Sequence, residues 1–338
     1  MHKAREFTEI CKKVGTNKQL AQAGGGNISL KLDSQSMLIK SSGISLAEVT
    51  AANGYCKIDF RKVLDYLSSI KNASFSVAAE KEYNNMLLKS LLENSNSRPS
   101  IETGFHTVLA KSVIHTHPVL VNSLLCSRGG KKIIMNLLKQ YDPLWVGYKT
   151  PGIELSKEIL DIINNTENKQ SYVILLENHG LIVSSNRLTD CLNLTNKIMS
   201  LVKGCLNKNK ISLHGYEDLD YSSGKFSSNI VKEFMKISGS KKLVQKHIFP
   251  DSAVYCSFGF SFDEYNKDKI NLYSNENVLL PENSAINYKH MGEVLIAWLT
   301  ILLIIQQFSE PKYLSEKEYN NIKNMESEKY RQKIDGAK

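Results

Sequence analysis

The chain has no apolar run long enough to cross a bilayer; the longest, Val294 to Ile305, is interrupted by Trp298 and Thr300 and predicts a buried core helix. It has no apolar h-region near its start, where MHKAREFTEICKKVG reads as a charged amphipathic helix, so no signal peptide is expected. It has no C-x-x-C pair. Cys11, Cys56, Cys126, Cys191, Cys205 and Cys256 are scattered, which predicts reduced thiols in a cytoplasm and gives them no metal role. It also lacks a basic tail or an aromatic-interleaved basic motif. The formal charge of +9 comes from 43 Lys and Arg against 34 Asp and Glu, spread along the chain with clusters no larger than Lys12-Lys13, Lys131-Lys132 and Lys241-Lys242. Neither nucleic acid nor membrane is therefore expected as a partner, although a basic rim attracts small anions. With 338 residues, 42% of them hydrophobic, and no compositional extreme, the chain can bury a substantial core as one large or two modest domains.

What is present is a set of histidines at strand ends. SVIHTHP, Ser112 to Pro118, and SYVILLENHGL, Ser171 to Leu181, are short apolar runs of strand length, each carrying histidine at a turn signal. His115 and His117 are two apart, so on a strand both imidazoles project to one side and Thr116 to the other. His179 supplies a third. Three neutral imidazoles converging from two strand ends make an open metal site, with zinc the first choice and the remaining positions free for water or substrate. Upstream, RPSIETGFH places Glu102 and His106 four apart at the start of a helix. A carboxylate near three histidines is either a fourth ligand or the base of metal-assisted chemistry. His106 is expected to orient neighbours or fill a polar pocket, not to bind the metal.

The ordered set GGGNIS, KSSG, PS-x-E-x-x-x-H, HTHP and ENHG resembles the class II, metal-dependent sugar-phosphate aldolases. That group includes fuculose- and rhamnulose-1-phosphate aldolases, a pentulose-phosphate 4-epimerase and the adducin head domain. The resemblance covers roughly Ala4 to Gly204 and implies a three-layer α/β/α fold around a central, mainly antiparallel sheet. It implies Gly26, Asn27, Ser42, Gly43 and Ser100 as binders of the substrate phosphate, with Lys40 and Ser41 as additional donors. One departure is Ile101, where these aldolases commonly carry a second hydroxyl residue.

The metal set is then His115, His117, His179 and Glu102, holding Zn2+ or another divalent ion. Glu102 serves as base and acid for a phosphorylated ketose cleaved or formed through a metal-stabilised enediolate. The resemblance also implies a homo-oligomer, a tetramer with sites at the interfaces, and a tyrosine acid from a neighbouring subunit. Alternatives on the same scaffold are a pentulose-phosphate 4-epimerase, whose members tend to carry Asp where this chain has Glu102, a 3-oxo sugar-acid phosphate decarboxylase, and an adducin-like binding domain that has lost the histidines.

Along the chain, residues 3–14 predict a helix, with a second short helical segment to Ala23. Strands follow at 28–32 and 37–40, then a helical turn and strand within 46–60, mostly helix from Arg61 to Asn96, a helix after Pro118, and a long helix from Leu188 to Leu206. The motifs end by residue 213. A smaller α/β extension, 214–338, is expected to serve packing or oligomerisation, with a helix at 226–238, a strand in HIFPDSAVYCSF, a buried helix at 291–309 and a charged helix at 315–334 opened by a Ser315/Glu318 capping box.

Overall fold

The computed structural model describes residues 2–71, 74–92, 97–167, 169–213, 216, 217, 219–282, 284–326, 329 and 330. Seven strands form the central sheet: β1 Asn27–Lys31, β2 Ser36–Lys40, β3 Tyr55–Asp59, β4 Ser112–Thr116, β5 Leu144–Val146, β6 Tyr172–Leu176 and β7 Gly180–Ser185. Their order is β3-β2-β1-β4-β7-β6-β5, and every neighbouring pair is antiparallel except β5 with β6.

Both faces of this sheet are buried, and strand alternation divides its side chains between two cores. Ile28, Leu30, Ile114, Val173, Leu175, Leu181 and Val183 pack with the helices His2–Thr16, Val119–Leu125 and Leu188–Lys208. On the opposite face, Val113, Ile174, Leu176 and Ile182 pack with Phe105, Leu155 and Ile159. Met37, Ile39, Cys56 and Ile58 meet the helices Phe60–Ser69 and Val77–Lys89. The result is the expected three-layer α/β/α arrangement.

Local chemistry sets the helix ends. Asp59 accepts from the backbone N–H groups of Arg61 and Lys62, and Ser76 from that of Ala79. The segment before Ala23 is a series of turns, with Ala23 itself at φ +48°, where a short helix was expected.

Beyond residue 213 a smaller sheet joins β8 Lys225–Ser227, β9 Phe260–Phe262, β10 Ile270–Leu272 and β11 Asn277–Leu279, in the order β8-β11-β10-β9. It packs around the helix Tyr288–Ile305, which in contrast to the run 294–305 taken alone is long and apolar enough to cross a bilayer, but 89% of its residues are buried inside the fold, as in the expected core helix. The capping box at Ser315 and Glu318 forms and opens the helix Glu316–Asn324; residues 327, 328 and 331–334 of the expected helix lie outside the described residues. The expected helix at 226–238 divides into β8 and the helix Asn229–Met235.

The strand expected in HIFPDSAVYCSF is instead a helix, Pro250–Tyr255. Pro250 fixes φ at its first position without forfeiting a needed N–H, and Asp251 follows in the first turn, where the helix dipole favours a carboxylate. The core of this region also takes in Ala23, Val119 and Cys126, so its apolar packing runs continuously into the first 213 residues. All six cysteines are free.

Candidate metal centre

The register of β1 against β4 pairs Asn27 with His115, so on one face of the sheet the first residue of β1 lies beside the first histidine. His117 follows β4, with its N–H donating to the carbonyl of Leu20 at 2.9 Å. His179 closes the turn between β6 and β7, where Asn178 adopts φ +53°. Glu102 stands at the position preceding the helix Thr103–Val108, not within it, and makes no side-chain cap. Its carboxylate is thereby free to reach the histidines, while His106 lies one turn on.

The four expected metal residues converge. Glu102 Oε1 lies 3.2 Å from His179 Nε2 and 3.5 Å from His115 Nε2. The Nε2 atoms of His115 and His117 are 3.1 Å apart, and one nitrogen from each of the three rings falls within 4.8 Å of the others. None of the four residues exposes more than 5% of its surface.

The outer ring atoms decide what the inner ones can do. His115 Nδ1 lies 3.0 Å from the carbonyl oxygen of Leu181, which can only accept, so Nδ1 carries the proton. His117 Nδ1 lies 2.6 Å from Asp251 Oδ2. The Nε2 atoms of both rings then face each other beside a carboxylate oxygen. Tetrahedral zinc with ligands at about 2.0–2.1 Å would set its nitrogens ~3.3 Å apart, close to the 3.1 Å between these two. The donor set therefore fits a divalent metal.

Burial pushes Glu102 towards protonation, but attraction and hydrogen bonding from His115 and His179 outweigh it and hold the carboxyl well below its usual range. Burial lowers His179 to about 4, against the opposing pull of Glu102, so its ring is neutral near pH 7. His106 is likewise pushed to about 3 by burial; its Nδ1 meets Ser29 Oγ at 2.8 Å and its ring stacks on Phe105. It takes no part in the histidine cluster.

Of the expected phosphate binders, Asn27 and Ser100 join the site directly. Asn27 Nδ2 donates to Ser100 Oγ at 2.6 Å and to Glu102 Oε2 at 3.0 Å, and the Glu102 N–H donates to Ser100 Oγ at 3.2 Å. Gly26 has φ +74°, and a Cβ there would lie 2.9 Å from the His115 carbonyl. Ser42 and Gly43 form the turn next to Ser100, held by a bridge from Ser41 to Pro99 and by the Ser42 N–H donating to the Arg98 carbonyl at 2.9 Å.

Lys40 and Ser41 are placed differently. The buried Lys40 ammonium donates to the carbonyls of Gly24 at 3.0 Å and Ile44 at 2.6 Å, so it ties the two turns together. Ser41 Oγ lies 3.4 Å from Cys56 Sγ. Ile101 packs into the apolar core with Ile153. A cavity of about 720 Å³ lies apart from these residues, lined by Lys241, His247, Phe260, Phe262 and Tyr319 among others.

Several supporting residues lie outside the expected site residues, and of these only Asn178 falls within a quoted motif, ENHG. Asn178 Nδ2 donates to the carbonyls of Ile248 and Lys312, and Asn122 Nδ2 to that of His179. Glu293 accepts from the Ala23 N–H at 2.7 Å and pairs with Lys18 at 2.9 Å, next to the glycine turn. Asp251 is 134 residues from His117, and only the fold brings them together.

Residues 5–204 match the family described as Class II Aldolase and Adducin N-terminal domain. A Bacillus subtilis (strain 168) protein described as an uncharacterized oxidoreductase, YuxG, is 30% identical over 210 residues, which are 60% of this chain and 29% of that protein. The chain thus spans under a third of that relative's length. Among solved structures, the N-terminal class II aldolase domain of a conserved protein from Thermoplasma acidophilum superposes with a TM-score of 0.51 at 22% identity, covering 59% of this chain and 91% of that one. A sugar-phosphate aldolase from Thermotoga maritima gives 0.46 at 14% identity, covering 63% and 97%. The match to the family over more than half its length identifies this chain as a member of the class II aldolase and adducin N-terminal domain family.

Proposed function

We propose that the protein is a divalent-metal-dependent lyase, with zinc the expected ion, that cleaves or forms a carbon–carbon bond in a phosphorylated ketose. The observation that carries this reading is the convergence of His115, His117, His179 and Glu102 on one point. When bound, the cation would supply Lewis acidity to the substrate's carbonyl and hydroxyl oxygens.

The chain's own groups do the rest. Glu102, held ionised, takes the proton from the carbon next to the carbonyl, and in the cleavage direction it returns that proton. Asn27 holds Glu102 Oε2 and so fixes the direction from which the base approaches. The glycine turn at Gly26, with Ser42, Gly43 and Ser100, would receive the phosphate, and a phosphorylated substrate suits the positive net charge. Residues 1–213 form the catalytic domain in this reading. The free thiols agree with a cytoplasmic setting, and the family resemblance suggests a homo-oligomer.

The test is exchange of the hydroxymethyl proton of dihydroxyacetone phosphate in deuterated water, followed by NMR with and without a chelator. Exchange that chelation abolishes, and that Glu102→Gln loses while keeping its metal, is expected. A metal-loaded protein that exchanges nothing would refute the aldolase reading. Product analysis on a pentulose phosphate and a 3-oxo sugar-acid phosphate would then distinguish epimerase from decarboxylase.

A further inference from the structure

The three histidines are supported from different parts of the chain. His115 is oriented by a carbonyl of the adjacent strand, Leu181 in β7. His117 is oriented by a carboxylate: Asp251 Oδ2 lies 2.6 Å from its Nδ1, with both side chains at most 6% exposed. Asp251 belongs to the region beyond residue 213, in the first turn of Pro250–Tyr255.

That helix is anchored. Pro250, Asp251, Ser252, Ala253, Val254 and Tyr255 are all buried, and Ala253, Val254 and Tyr255 belong to the core built around Tyr288–Ile305. Tyr255 Oη accepts from the Gly24 N–H at 3.3 Å. Gly25 leaves the space that Asp251 occupies, since a Cβ there would lie 2.5 Å from Asp251 Oδ2 and 2.8 Å from His117 Nδ1.

We propose that Asp251 is a positioning residue of the metal centre and that residues 214–338 complete that centre through it. The inference rests on the metal-site reading given above. An imidazole N–H donated to a carboxylate fixes the tautomer and ring direction and makes the opposite nitrogen a stronger ligand; losing such a partner typically costs 10–100-fold in metal affinity. In His117 the opposite nitrogen is Nε2, the atom facing His115. The extension therefore acts on cation binding in addition to any packing role.

The experiment uses the full chain and zinc alone. Zinc affinity is measured by competition with a chromogenic chelator for wild type, Asp251→Asn, Asp251→Ala and His179→Ala, with circular dichroism as a check on folding. Asp251→Ala is expected to bind zinc about 10–100-fold more weakly and Asp251→Asn to fall between it and wild type, while His179→Ala loses tight binding.

Asp251 variants that bind within about twofold of wild type, beside a His179→Ala that fails, overturn the inference and leave the metal site standing. If His179→Ala also binds like wild type, the metal-site reading falls instead. Should both Asp251 variants fail to fold, nitrogen-15 NMR of histidine-labelled wild type decides: His117 protonated on Nδ1 both without and with zinc is expected, and a ring protonated on Nε2 overturns the proposal.

Discussion

Glu293 offers a quantitative test of how the helix Tyr288–Ile305 is fastened to the glycine turn that opens the site. Its side chain is 1% exposed, accepts from the Ala23 N–H at 2.7 Å and pairs with Lys18 at 2.9 Å. Glu293→Ala leaves a buried N–H without its acceptor and strands the Lys18 ammonium, whose side chain is 13% exposed. Removing one member of a buried pair costs about 3–5 kcal/mol. Lys18 can turn partly towards water, which places the expected loss near the lower end, about 3 kcal/mol.

Glu293→Gln keeps an acceptor for Ala23 and loses only the charge, for about 1–2 kcal/mol. At roughly 2.1 cal/mol/K per residue, unfolding 338 residues involves an entropy of about 0.7 kcal/mol/K, so the alanine variant should melt about 4 °C lower and the glutamine variant about 2 °C lower. Differential scanning calorimetry on the metal-free chain reads both shifts. A Lys18→Met, Glu293→Ala cycle should show a coupling of at least about 1 kcal/mol. An alanine variant within about 1 °C of wild type, or a cycle with no coupling, would refute the assignment of Glu293 as a buried tie.

Gly180→Ala should abolish zinc retention, measured by metal analysis after gel filtration, because the added methyl would press on the Thr116 carbonyl and lie 2.9 Å from His117 Cδ2 and 3.2 Å from His115 Cε1. Asn27→Leu removes the donor that holds Glu102 Oε2 but none of the three imidazoles, so proton exchange should fall about 10–100-fold while zinc content stays near wild type. Burial lowers His247 from 6.5 to about 4. The unfolded chain takes up that proton first, so the contribution is complete above pH 6.5 and is lost as pH falls towards 4. His247→Gln should flatten this acid limb by up to about 3 kcal/mol in urea titrations across that range, and an unchanged slope would contradict the burial of the imidazole.

The sequence alone determined the parts of the site that obey a local period. Strand alternation puts His115 and His117 on one side whatever surrounds them, and an apolar run ending in Glu177-Asn178-His179-Gly180 presents its histidine at a turn. Pro99 and Ser100 mark the start of the segment carrying Glu102, and their spacing from His106 is visible without coordinates. The Ser315/Glu318 capping box and the core character of 294–305 are equally local, and both appear in the structure.

Tertiary structure decided what depends on contacts between distant residues. Lys40 has the side chain of an anion binder in either setting, but only folding shows its ammonium bonded to Gly24 and Ile44. Pro250–Tyr255 has the apolar run of a strand, yet Pro250 and the packing of Val254 and Tyr255 make it a helix. A carboxylate in a polar first turn has no periodic signal that points to a histidine 134 residues away. Its partnership with His117 exists because the Tyr288–Ile305 core holds that helix beside the glycine turn, which is a property of packing and not of spacing.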